Sequence, residues 1–389
     1  MEWIYADYAA TAPLIPEAFE SMEPWLQQRF GNASSLYRTG AQARKAVENA
    51  RRSVAAALDA RYEEIFFTSG GTESNVSALR GVLEAGGAKR LVCSAIEHHS
   101  VLNTVVYLKT RGVPAEILRP DADGVLNPDS ISAAVQPGTL VSIHYANNEI
   151  GTIEPIAQIA ESVHARGGLF HCDCVQAAGH IPLSLESSGI DLASFSAHKF
   201  GGPKGIGILY IRRGTPCRAL MTGGAQEWGM RAGTENVAGI VGLARALEIS
   251  CAQIESEASR LRALRGQLEE GVRSIAQVRS NVSAARTLPG LANFSFAMIE
   301  GENIATLMDQ KGIAISPGSA CAAGVHEPSH VLHAFGLAPE LALGSVRISL
   351  GRTSKAPDIP RIIQALTESV AFLRRLQPAW RDMQQRGAV

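Results

Sequence analysis

The chain has 389 residues, 46% of them hydrophobic and 19% charged, with 37 glycines and 18 prolines; that profile describes a globular protein and excludes a disordered, fibrous or repeat chain. Thirty-six Lys and Arg against 37 Asp and Glu leave a formal net charge of −1, so no global field draws it to nucleic acid or to an anionic membrane. The opening MEWIYADYAATAPL has no basic or apolar leader pattern, and no apolar run approaches the ~18 residues needed to cross a bilayer, so the expectation is a soluble, cytoplasmic protein.

From residue 65 to 211, short apolar β-rich runs alternate with helix-length stretches: IFFT (65–68), RLVCS (90–94), AEIL (115–118), LVSIHY (140–145), LFHCD (169–173), DLASFS (191–196) and GIGILYI (205–211). This pattern predicts an α/β fold whose seven-stranded, mostly parallel sheet lies between helices. The loop joining the last two runs is too short for a helical crossover, which allows that pair to be antiparallel. Ile254, Leu261, Leu264, Leu268, Val272 and Ile275 then fall on one helical stripe. LANFSFA (291–297), SVRISLG (345–351) and an amphipathic stretch near 357–376 complete a smaller α+β domain.

The six cysteines, Cys93, Cys172, Cys174, Cys217, Cys251 and Cys321, are too few and too scattered for a disulfide framework. Cys172-Asp173-Cys174 lacks a second pair or a nearby His-x-His to complete a tetrahedral set, so no metal site is expected.

Chemistry-bearing residues gather after the strand runs, where open α/β sheets bind ligands. Ser69-Gly70-Gly71-Thr72 opens a helical pattern; its glycines and free N–H groups suit a phosphate, although a plain strand-to-helix turn fits the same residues. Asp173 ends LFHCD, either as a helix cap or as the partner of a protonated heteroaromatic nitrogen, with Gln176 three residues on. Ser196, His198 and Lys199 precede the tight turn FGGPKG. A lysine shielded from water there has a lowered pKa and suits carbonyl capture, whereas a surface lysine would snorkel. A phosphate turn, a strand-end Asp and such a Lys together match the needs of pyridoxal 5′-phosphate.

Along nearly its whole length the chain resembles the cysteine desulfurases of the NifS/IscS type, in the fold-type I class V aminotransferase family. The matching segments run from YADYAATAP through FGNASS, FTSGGTESN, EHHSVLNT, NNEIGT, HCDCVQ, FSAHKFGGPKGIG, GMRAGTENV and PGSACAAG to VRISLGR. The resemblance implies pyridoxal 5′-phosphate bound covalently by Lys199, which also moves the substrate Cα proton. It implies Asp173 on the pyridine nitrogen, Gln176 on the phenolic oxygen, and His98 stacked on the ring and shuttling protons. Phosphate contacts would come from Gly71, Thr72, Ser196 and His198, with Thr234 reaching across from the partner of a homodimer. Asn148 would lie beside the ring oxygen and the substrate, while Arg347 and Asn32 would hold the substrate carboxylate.

Cys321 sits in the small-residue segment Ser319-Ala320-Cys321-Ala322-Ala323-Gly324, which reads as a mobile loop with little to bury a thiol. The resemblance makes it the persulfide-forming nucleophile, converting L-cysteine to L-alanine and delivering sulfur to an acceptor protein for iron–sulfur cluster assembly or another thiolation pathway. Twenty-five residues lie between Cys321 and Arg347, resembling the long loop of that group. Selenocysteine lyases and aminotransferases of the same class are the enzyme alternatives, and neither needs Cys321. A catalytically silent scaffold is the non-enzyme alternative, against which Lys199, Asp173, Cys321 and Arg347 all argue. The implied division is a large cofactor-binding domain, 14–257, and a small domain of 1–13 and 258–389 carrying the cysteine loop. Two departures from the family pattern are the cysteines flanking Asp173 and FGNASS where a proline is usual.

Overall fold

A computed structural model describes residues 3–281, 286–318, 328–378 and 380. After β1 (Ile4–Tyr5), the large sheet is built from β2 (Ile65–Thr68), β3 (Arg90–Ser94), β4 (Ala115–Leu118), β5 (Thr139–His144), β6 (Leu169–Asp173), β7 (Leu192–Ser196) and β8 (Gly207–Ile211). Each coincides with one of the seven apolar runs to within two residues. Gly205, at φ 77°, turns the chain in a way only glycine tolerates well, which delays β8 to Gly207.

The strand order is β2-β8-β7-β6-β5-β3-β4. β8 runs antiparallel to both β7 and β2, as its short connection requires, and the remaining pairs are parallel. Two antiparallel steps return β2 to the direction of β7. The carboxyl ends of β2, β3, β5, β6 and β7 therefore share one edge of the sheet, and the site forms there.

β2, β5, β7 and β8 are buried along their whole length because helices cover both faces of the sheet. On one face pack Val54, Leu58, Phe67, Val141, Phe170, Phe195 and Leu243; on the other, Leu79, Val82, Leu91, Val101, Val105 and Leu209. The helix Ile156–His164 shows how the pattern works: Ile156, Ile159, Ala160 and Val163 recur at three- and four-residue spacing and are its buried positions. Burying each large aliphatic chain contributes about 1.5–3 kcal/mol.

The second core lies under a four-stranded antiparallel sheet of β9 (Val278–Ser280), β10 (Leu291–Phe296), β12 (Ser316–Pro317) and β13 (Ser345–Ser349), while β11 (Ile313–Ala314) pairs in parallel with β1. The helices Ile254–Arg273 and Asp358–Leu376 pack on it through Leu261, Leu264, Leu268, Val272, Ile359, Ile362 and Leu366. The first of these elements follows the predicted stripe, and a preceding helix, Val237–Ala252, packs against the helices Pro16–Gln27 and Arg38–Ala57. Among the described residues no single helix is long and apolar enough to cross a membrane.

Candidate active site

A cavity of about 340 Å³ opens at the carboxyl edge of the large sheet, lined by residues that include Gly71, Thr72, His98, Asn148, Asp173, Gln176, Ser196, His198, Lys199 and Arg347. Ten of the residues singled out in the sequence thus meet at one place. Asn32 and Thr234 do not line it. Both are exposed, and Asn32 spends its Oδ1 on the Ser34 N–H at 2.9 Å. Cys321 lies outside the described residues.

The floor of the cavity is a chain of hydrogen bonds. Asp173 is 6% exposed; its Oδ1 accepts from Val175 N–H at 3.0 Å and its Oδ2 from Asn75 Nδ2 at 2.7 Å. Asn75 also donates to Ser100 Oγ at 2.8 Å. His98 caps the next helix, His99–Thr110, with Nδ1 accepting from Ser100 N–H at 3.1 Å, which leaves the neutral ring's proton on Nε2. Burial pushes the Asp173 carboxyl up, against the opposing pull of His98, Asn75 and Val175. Burial and the nearby Lys199 charge push His98 down. A buried carboxylate whose charge is so poorly compensated suits a cationic N–H partner.

Beside Asp173 on the neighbouring strand stands His144. Burial opposes its charge, but Glu97, with Oε1 3.0 Å from Nδ1, and Glu154, 3.8 Å from Nε2, hold its pKa up at about 9. Neither His144 nor Asn75 nor Ser100 stood out in the sequence. The signal for Asn75 was its helical spacing, four residues after Gly71 and hence on the same helix face.

Lys199 Nζ donates to the Ala9 and Ala10 carbonyls at 2.6 and 2.9 Å, and Gln176 Nε2 shares the Ala9 carbonyl at 3.0 Å. The segment after β1 is thus a wall of the site. Arg347, on β13, is 2% exposed and points one Nη at the Asn148 carbonyl and the other at Asp7 Oδ1, both at 2.7 Å. At the opposite end the turn after β2 is bare: a Cβ on Gly71 would lie 2.7 Å from Val175 Cγ2. His198 Nδ1 lies 3.1 Å from Thr11 Oγ1, and burial together with the Lys199 and Lys204 charges pushes its pKa down to about 4, so it acts at neutral pH as an uncharged ring.

The cavity's size, its Gly71 cradle at a helix start, its buried carboxylate and its lysine fit pyridoxal 5′-phosphate. The family model described as Aminotransferase class-V matches residues 4–362. The chain belongs to the class V aminotransferase family. Over 379 residues it is 44% identical to a cysteine desulfurase IscS of Dictyoglomus turgidum, covering 96% of each chain. It is similar to a solved NifS-like protein with a TM-score of 0.90 and 37% identity, covering 96% of this chain and all of that one. A structure of SspA in complex with cysteine matches at a TM-score of 0.79 and 34% identity, over 90% of this chain and 99% of that one. Members of this family depend on pyridoxal 5′-phosphate, and this chain is one of them.

Proposed function

We propose that this class V enzyme is a cysteine desulfurase that converts L-cysteine to L-alanine, leaves the sulfur as a persulfide on Cys321 and passes it to an acceptor protein. The meeting of Lys199, Asp173 and Arg347 in one cavity carries the reading: an amine, a ring-nitrogen partner and a buried guanidinium for an amino-acid carboxylate. When bound, the cofactor supplies an electron sink next to the substrate Cα. Arg347 would bind the substrate carboxylate through its planar fork, with Asn148 beside it in the cavity. Lys199 would hold the cofactor and then move the Cα proton, His98 would face the ring and relay protons, and Gln176 would donate to its oxygen. Asp173 would partner the ring N–H. Gly71, Thr72, Ser196 and His198 would take the phosphate, with Thr234 of a second copy.

The Cys321 thiolate attacks the substrate sulfur; an S–S bond forms, the C–S bond breaks, and the carbon left behind takes a proton to become alanine. Atoms balance as L-cysteine plus thiol giving L-alanine plus persulfide. The cysteines among the described residues are poor candidates for this role: Cys93, Cys172 and Cys174 are buried, and burial pushes the Cys217 thiol up to about 12 and that of Cys251 upward. A homodimer is supported by the exposed Phe30, Leu36, Tyr37 and Trp228, which surround the segments bearing Asn32 and Thr234. The two apolar cores support the division at 14–257 against 1–13 plus 258–389, and a cytoplasmic location accompanies the reading.

Cys321→Ser tests the reading. The purified variant is expected to keep its cofactor colour and to exchange the L-cysteine Cα proton with D₂O, yet to form neither alanine nor sulfide under reductant. Undiminished alanine formation would remove Cys321 from the mechanism.

A further inference from the structure

The helix Gly71–Glu84 begins at the turn read above as the phosphate site, and its first turn already holds an anion. Glu73 reaches back so that Oε2 accepts the Ser69 N–H at 2.8 Å, on the same positive helix end that a phosphate would use. Burial works against its charge, but Arg231 and Ser69 hold the carboxyl below its usual range, so Glu73 is ionised. A dianionic phosphate beside a bare carboxylate would be repelled. Arg231 removes that conflict: its Nε lies 3.0 Å from Glu73 Oε1, with the two side chains 26% and 10% exposed.

Arg231 is itself held by an unusual backbone. Glu227 and Trp228 have φ/ψ of 47°/41° and 53°/31°, and Gly229 follows at φ 81°, a left-handed turn that two side-chain-bearing residues rarely adopt. The Glu227 carboxylate fixes it. It receives both Nη atoms of Arg51 at 2.7 Å and the Phe67 N–H at 2.8 Å. Arg51 in turn bonds the Ile65 carbonyl at 2.6 Å and lies over the Trp228 ring, 4.6 Å from its centroid. Both ends of this buried pair thus grip β2, immediately before the phosphate turn, and Met230 N–H closes the turn onto the Glu227 carbonyl at 2.9 Å.

We propose that Arg231, set by the Arg51–Glu227 latch, is a positioning residue that neutralises Glu73 and so makes the Ser69–Thr72 turn fit for a dianionic phosphate monoester. The proposal rests on the reading of Gly71 and Thr72 as the phosphate contacts. The test titrates cofactor-free protein with pyridoxal 5′-phosphate and, separately, with pyridoxal, which lacks the phosphate. Arg231→Met is expected to weaken the phosphorylated ligand about tenfold, as the loss of a charge pair at a helix start would, and to leave pyridoxal binding unchanged. Adding Glu73→Gln, which keeps the Ser69 acceptor and removes the charge, is expected to restore the affinity. Arg51→Met with Glu227→Met keeps side-chain volume and releases the turn; it is expected to produce the same phosphate-selective loss with the fold retained. Equal loss for both ligands, or failure of Glu73→Gln to rescue, would overturn the proposal. Wild-type protein that binds pyridoxal as tightly as its phosphate would instead remove the underlying phosphate reading, and the inference with it.

Discussion

The two ends of the cavity are built differently. At the ring end Asp173, Asn75, Ser100 and His98 hold one another, and all four come from the large sheet and its following helices. At the carboxylate end Arg347 comes from β13 of the small sheet and is stitched to Asp7 and to the Asn148 carbonyl. The ring end is fixed by one set of packed layers, whereas the carboxylate end depends on how two cores seat against each other. Under the proposed function, the first would govern the chemistry and the second the hold on the amino acid.

If that contrast is right, Asp173→Asn should act on turnover. Losing the buried charge at the ring nitrogen is expected to lower kcat about 10²–10³-fold, the scale for removing one preorganised electrostatic group, with KM for L-cysteine little changed; steady-state kinetics on cofactor-loaded protein measures it. Arg347→Lys should do the opposite, raising KM about 10–100-fold through a lost charge-assisted bond while Cα-proton exchange at saturating substrate persists. Asp7→Asn should shift KM in the same direction by less. An equal kcat loss from Arg347→Lys and Asp173→Asn would erase the distinction between the two ends.

Acid should act on the large sheet beneath the ring end. His171 lies between Ser142 and Ser194 in the middle of the large sheet, and burial pushes its pKa from 6.5 down to about 3. The unfolded chain binds this proton near pH 6.5 and the folded protein only near 3, so below 6.5 the unfolded state holds more protons. Stability is then lost progressively as pH falls through that window. Urea unfolding of cofactor-free protein from pH 7 to pH 4 should show this slope, and His171→Gln should flatten it. An unchanged slope would place the acid-sensitive groups elsewhere.

The sheet was legible because its strands are fully buried, so each reads as an unbroken apolar run between turn residues, and the short turn before Gly207 announced the antiparallel strand. The site was legible as a place, because Lys199, Asp173 and Arg347 stand out in the sequence and line one cavity. Support was harder to read. Asn75 and Ser100 look like ordinary helix polars until the fold brings them under Asp173, and His144 looks like an interior strand residue until Glu97 and Glu154 close on it from other segments. Asp7 and the Ala9 and Ala10 carbonyls were invisible because their partners lie roughly two hundred to over three hundred residues away in the chain. The left-handed turn at Glu227–Trp228 carries no glycine at its first two positions, so its strain leaves no mark in the sequence.

The stretch from Ile4 to Ala10 pairs with β11, holds Lys199 and anchors Arg347, which ties the order of synthesis to the order of assembly. These residues are made before the large sheet, every strand of which is complete by Ile211. Their partners at Ile313 and Arg347 follow on the order of 10 s later at ordinary elongation rates. A nascent chain therefore has its sheet, with Asp173 and Lys199, before it has Arg347, and the cavity gains its last wall only when β13 has been made.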